Sequence, residues 1–188
     1  MARAASSLLL ALGFMLLPLN PAAGQVLCRS EADDVAALRM FDRAVNAYVE
    51  MHRRLEPPLA PWRISSDPEA IAAAADTLAR SIRAERRDAA QGDIFGPEVA
   101  DFFRVRLRAA GAAGEPTAAR RDLEGEETLC RPLPVVNSRL AWAASAPIGE
   151  ALARALPALP MELEYRLTGN ALVLVDVRAG LVVDLLEV

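Results

Sequence analysis

His52 is the only imidazole in the chain. Its ordinary pKa lies near neutrality, which makes it the first residue to consider as a general base or ligand. It falls on the apolar stripe of a helical pattern, beside Tyr48, Val49 and Leu55, and is read as a core-margin histidine with no partner assigned at helical spacing. Cys28 and Cys130 are the two cysteines. In an oxidising compartment they are expected to pair, closing a loop whose chain entropy is worth on the order of 4 to 5 kcal/mol. The rival arrangement, a nucleophilic Cys130 served by His52, has no neighbour that marks either residue as activated. A serine triad would need a nucleophile on a strained turn, and no Gly-x-Ser-x-Gly is present.

Helical spacing sets Arg106 between Phe103 and Ala110, on the inward side of a helix. There it can run its stem past the aromatics or hold an acid such as Asp93. Asp93 and Arg106 are therefore the ligand-binding candidates. With Glu98, near the Gly92 to Pro97 turn, they are also the residues a hydrolase would use. Arg80, Arg83 and Arg87 share a face that could clamp a carboxylate or phosphate, but Asp76 precedes Arg80 by four residues, the spacing of an ordinary solvated pair. Glu124, Glu126 and Glu127 lack the alternation and central glycine of a calcium loop. Asp176 and Asp184 interrupt apolar strands and are read as strand ends or edge-blunting charges, with paired catalytic carboxylates as the secondary reading. No cofactor or metal site is expected from these residues.

The elements that must position these groups follow from periodicity. Residues 31–55 carry apolar side chains at helical spacing, from Val35 and Leu38 through Phe41 and Val45 to Leu55, behind a capping box of Ser30 and Asp33. Pro57, Pro58, Pro61 and Trp62 form a stiff connection. Ser66-Asp67-Pro68-Glu69 opens a second helix with Ile71, Ala75, Leu78, Ile82 and Ala89 inward, expected to stop at Gly92. A third runs from Pro97 to Ala110 with Val99, Phe102, Phe103 and Leu107 inward, closed by Gly111. Residues 111–129 read as a surface loop. A short fourth helix is expected from about Ser145-Ala146-Pro147, carrying Ile148, Leu152 and Leu156 and ended by Pro157 and Pro160.

The period then changes to two. Leu163, Tyr165 and Leu167 alternate with Glu162, Glu164 and Arg166, Gly169-Asn170 signals a hairpin, and 171–177 and 181–188 are two further strands. Those two are apolar at nearly every position, which requires cover on both faces of the sheet. The fold class is therefore α+β: three main helices plus a short fourth, packed on a C-terminal three-stranded antiparallel meander.

At the N-terminus, Arg3, the apolar run Leu8 to Leu17 and the small residues Ala22-Ala23-Gly24 form the three-part pattern of a secretory signal, with cleavage expected before Gln25. Pro18 and Asn20 break the run short of the roughly 20 residues that span a bilayer. Residues 25–188 are expected to be a single domain, periplasmic or secreted. All the basic residues are Arg, and the net charge is −4. With no concentrated positive patch, nucleic acid is not an expected partner.

Ala90-Gln91-Gly92-Asp93-Ile94-Phe95 after an Arg-rich helix, with Leu159-Pro160 leading into Glu164-Tyr165-Arg166, resembles a set of exported bacterial proteins of no assigned function. Tyr165-Arg166-Leu167, Gly169-Asn170, Leu172 to Asp176 and Gly180 to Val183 are similar to the terminal meander of small periplasmic proteins of the nickel/cobalt-homeostasis type. That second resemblance implies a periplasmic fold and no metal role, since this chain has one His and no His-rich tract. The expectation is a non-enzymatic exported module that binds a protein partner, or itself through the C-terminal sheet.

Overall fold

The computed structural model describes residues 30–56, 66–112 and 133–188. The expected signal pattern of residues 1–24, Cys28, Cys130, the Pro57 to Trp62 connection and most of the expected 111–129 loop lie outside these residues. Helix α1 spans Glu31–Leu55, α2 Pro68–Glu85, α3 Pro97–Ala112 and α4 Glu150–Ala155; strand β1 is Ala146–Pro147, β2 Leu163–Thr168, β3 Ala171–Asp176 and β4 Leu181–Glu187. The fold is α+β, with four helices and a four-stranded antiparallel sheet in the order β1-β2-β3-β4 among the described residues. The strand not foreseen is β1. Ala146 pairs with Leu167 and Pro147 with Arg166 where a helix start was expected, and α4 begins only at Glu150.

Local chemistry sets the helix ends. Ser30 and Asp33 form the reciprocal capping box of α1, and Asp67 caps α2 by accepting from the Glu69 N–H. Helix α2 ends seven residues before Gly92. At Arg86 the backbone leaves the helix, freeing the Arg86 carbonyl to accept from the Asn137 side chain and the guanidinium to reach the Val183 carbonyl. Helix α3 runs through Gly111 to Ala112. The β2–β3 loop has two residues, and Gly169 alone takes a positive φ, 57°, the pattern of a type II′ hairpin.

Every residue of β3 is buried, so the sheet has two covers. On one face Leu172, Leu174, Leu181 and Leu186 join Phe41, Phe102, Phe103, Leu78 and Ile82 from the helices. On the other, Ala171, Val173, Val175, Val182 and Leu185 meet Leu133, Val136 and Leu140. That second cover is a strap, residues 133–141, and it also runs along the outer edge of β4. The Asn137 N–H donates to the Val182 carbonyl at 2.8 Å, and the Leu140 N–H to the Gly180 carbonyl at 3.0 Å. Arg83 Nε fixes the strap to α2 through the Asn137 carbonyl at 2.8 Å.

A bulge in β4 decides where one charge goes. Val175 pairs with Val182 but Leu174 pairs with Asp184, leaving Val183 as the extra residue. Without the insertion Asp184 would face the strap. With it, the side chain turns to the helix face, opposite the tight Gln91 to Phe95 loop.

Candidate functional site

Asp176 and Asp184, read from sequence as edge charges, are fully buried. A buried carboxylate is tolerable only if its lone pairs are satisfied. Asp184 accepts from the N–H groups of Gly92 and Leu185 on Oδ1, at 2.9 and 2.8 Å, and from those of Ile94 and Phe95 on Oδ2, at 2.7 and 2.8 Å. Asp176 accepts from the Arg178 and Ala179 N–H groups on Oδ1, at 3.0 and 2.8 Å. Its Oδ2 takes the Tyr48 hydroxyl at 2.8 Å and His52 Nδ1 at 2.6 Å. Each carboxylate is thus saturated by four donors. Asp184 fastens the loop before α3 to the sheet, and Asp176 fastens α1 to the end of β3.

His52 is buried in the core rather than at its margin, and it does have a partner at helical spacing. Glu56, four residues on, brings Oε2 to 3.7 Å from Nε2; Tyr48, four residues back, shares Asp176 with it. Tyr48, His52 and Glu56 therefore line one helix face, a pattern visible in the sequence once their spacing is counted. The Arg178 guanidinium pairs with Glu56. Nε2 of His52 is buried without a hydrogen-bond partner. A carboxylate–imidazole pair of this kind could hold a proton, but the ring exposes no surface to a substrate.

The structure does not bring Asp93 and Arg106 together. Asp93 lies 3.6 Å from Arg86, and Arg106 lies 3.9 Å from Asp34. Arg106 is not on the inward side: one turn past Phe102, it lays its guanidinium over that ring at 4.5 Å and stays exposed. Of the arginines on α2, Arg83 anchors the strap and Arg80 donates to Thr77, while Asp76 pairs with Arg139. Among the described residues, no three His, Cys, Asp or Glu side chains gather as a metal site. No described helix is long and apolar enough to cross a membrane.

A different surface has the form of a binding site. Where the strap leaves the sheet it passes through a short 3₁₀ turn, Trp142–Ala144, and an open groove of about 600 Å³ lies along it. Its lining is almost wholly apolar: Leu133, Pro134, Val135, Leu140, Trp142 and the alanines beside Trp142, with Arg139, Ser138 and Thr168 as the polar exceptions. Trp142 is half-exposed and is held from one side by the Arg166 guanidinium, 4.8 Å from its ring; Arg166 is itself fixed by Ser145 and Glu164. Sequence reading missed this site because Trp142 lies in no periodic stretch; an aromatic among alanines and prolines was its only signal. Comparison of the chain with protein families, curated proteins and solved structures finds no match.

The two tyrosines supply a pH test of the buried face. Burial, and for Tyr48 also the Asp176 charge and hydrogen bond, pushes both phenols, Tyr48 and Tyr165, well above the ordinary range. A phenol raised in the folded state contributes stability that is complete below the unfolded pKa of about 10 and declines as pH rises beyond it. An alkaline titration followed by phenolate absorbance is therefore expected to give no ionisation in the folded protein near pH ~10, and release of both phenols together with unfolding at higher pH. Ionisation of one tyrosine near its ordinary pKa with the fold intact would contradict this packing.

Proposed function

We propose that this protein is an exported, non-enzymatic binding module whose ligand face is the groove beside Trp142. The observation that carries the reading is the contrast between the two faces of the sheet. On the helix face both fully buried carboxylates, Asp176 and Asp184, have their lone pairs filled by donors, and His52 exposes no surface to a substrate. On the strap face an apolar concavity lies open, within the usual ~300–1,000 Å³ of small-ligand sites. Self-association through the sheet is not part of this reading. Both faces are covered by the chain's own residues, and the outer edge of β4 is occupied by the strap, by Arg86 on the Val183 carbonyl and by Arg104 on the Glu187 carbonyl.

Titration with the neutral apolar dye N-phenyl-1-naphthylamine tests the groove. Saturable binding with a rise in dye fluorescence is expected, weakened about tenfold, or ~1.4 kcal/mol, by Trp142→Ala. Met161→Ala, an exposed apolar residue outside the groove lining, should leave binding unchanged. Equal binding by wild type and Trp142→Ala would remove the assignment.

Export rests on the N-terminal pattern of residues 1–24. In the unreduced mass spectrum of protein recovered from the periplasm or medium, a chain beginning at Gln25 and lighter by two hydrogens, from a Cys28–Cys130 bridge, is expected. An intact Met1 chain in the cytoplasm with two titratable thiols would refute it.

A further inference from the structure

Two residues that line the groove, Arg139 and Trp142, bring nitrogen donors close to a common point. Gly180, in the β3–β4 turn, has φ 62°, and a β-carbon placed there would lie 3.8 Å from Trp142 Nε1 and 3.9 Å from Arg139 Nη1. The indole N–H and the guanidinium thus both stand within ordinary contact distance of one point over the turn. No described residue accepts from the indole nitrogen, and among the described residues Arg139 has only Asp76 as an ion-pair partner, across a contact in which both side chains are half-exposed. An exposed pair of this kind is screened and readily exchanged. The same groove is walled by the apolar side chains of Leu133, Val135 and Leu140.

Resting on the reading of the groove as a ligand site, we propose that its ligand is an amphiphilic carboxylate with an acyl chain. The carboxylate accepts from Arg139 and Trp142, replacing Asp76, and the chain lies along the apolar walls. Charge selects the head group: a guanidinium with an adjacent N–H matches an anionic oxygen pair. The walls select the tail, because they offer almost no partners for amide groups and a peptide laid there would leave its backbone unsatisfied. An acyl chain carries no such groups.

Displacement of N-phenyl-1-naphthylamine by decanoate, decan-1-ol and decyltrimethylammonium tests this. Decanoate is expected to displace the dye at a concentration at least about tenfold lower than the alcohol, with the cation weakest; tenfold is the discrimination of one modest charge-assisted contact. Arg139→Gln should bring decanoate down to the level of decan-1-ol. Asp76→Asn, which removes the competing carboxylate, should strengthen decanoate several-fold while leaving decan-1-ol unchanged. The second variant keeps the test decisive if Arg139→Gln fails to fold. Equal displacement by decanoate and decan-1-ol from a groove that binds the dye would overturn the carboxylate assignment and leave the groove standing. No dye binding at all would overturn the groove itself. Tighter binding of an apolar peptide with a free C-terminus than of decanoate would overturn the acyl assignment in favour of a peptide.

Discussion

A strand buried at every position cannot be the surface layer of anything, and β3 is such a strand. Its six residues require two separate apolar covers, and the chain supplies them from different places: the three long helices on one side, the 133–141 strap on the other. The rest of the architecture follows from that division. Helix α2 must hold the strap as well as the sheet, which it does through Arg83 and Arg86. Beyond the strap, the chain is left to turn at Trp142 and open a groove.

The helix face is where charge enters the core, and it does so at two points. Asp176 and Asp184 each replace an apolar side chain on that face, and each gathers donors from a distant segment: Tyr48 and His52 of α1 for the first, the amides of residues 92, 94 and 95 for the second. Hydrogen bonds to a buried charge are individually worth about 1.5–3 kcal/mol, and an unpaired buried carboxylate is heavily penalised. These contacts therefore specify which loop and which helix turn dock where, something apolar packing alone does less sharply. Glu162, at the sheet's end, is likewise tied to a distant segment, through Arg53 of α1 on Oε1, but its Oε2 is buried without a partner. Burial raises its carboxyl, but hydrogen bonding to Arg53 and that guanidinium's charge outweigh the effect and hold it below the ordinary range.

Much of the architecture was legible because periodicity reports it directly. The range of α1, the start of α3, the capping box, the Gly169-Asn170 hairpin and the two-faced burial of β3 and β4 all follow from residue pattern. Hidden from the pattern were features created by long-range hydrogen bonding. Helix α2 stops at Glu85 because Arg86 is drawn to Val183 and Asn137, partners 97 and 51 residues along the chain. Strand β1 is too short to carry an alternation. Asp184 faces the helices only because of a bulge that the run Leu181-Val182-Val183-Asp184 does not announce. The candidate site was the least legible part: Asp93 and Arg106 each look suited to a partner, but the fold gives them Arg86 and Asp34 instead. Arg139 and Trp142, far from any motif, meet over a glycine.

The division of labour between the two faces of the sheet is most directly tested by recording amide and indole NMR correlation spectra of the folded protein as decanoate is added. Progressive shifts are expected for the Trp142 indole N–H, the Arg139 Nε–H and the backbone amides of the strap, with the signals of Tyr48, His52 and Asp176 unmoved. Shifts centred on His52 and its neighbours, with the Trp142 signal stationary, would place the binding site on the face taken here to be purely structural.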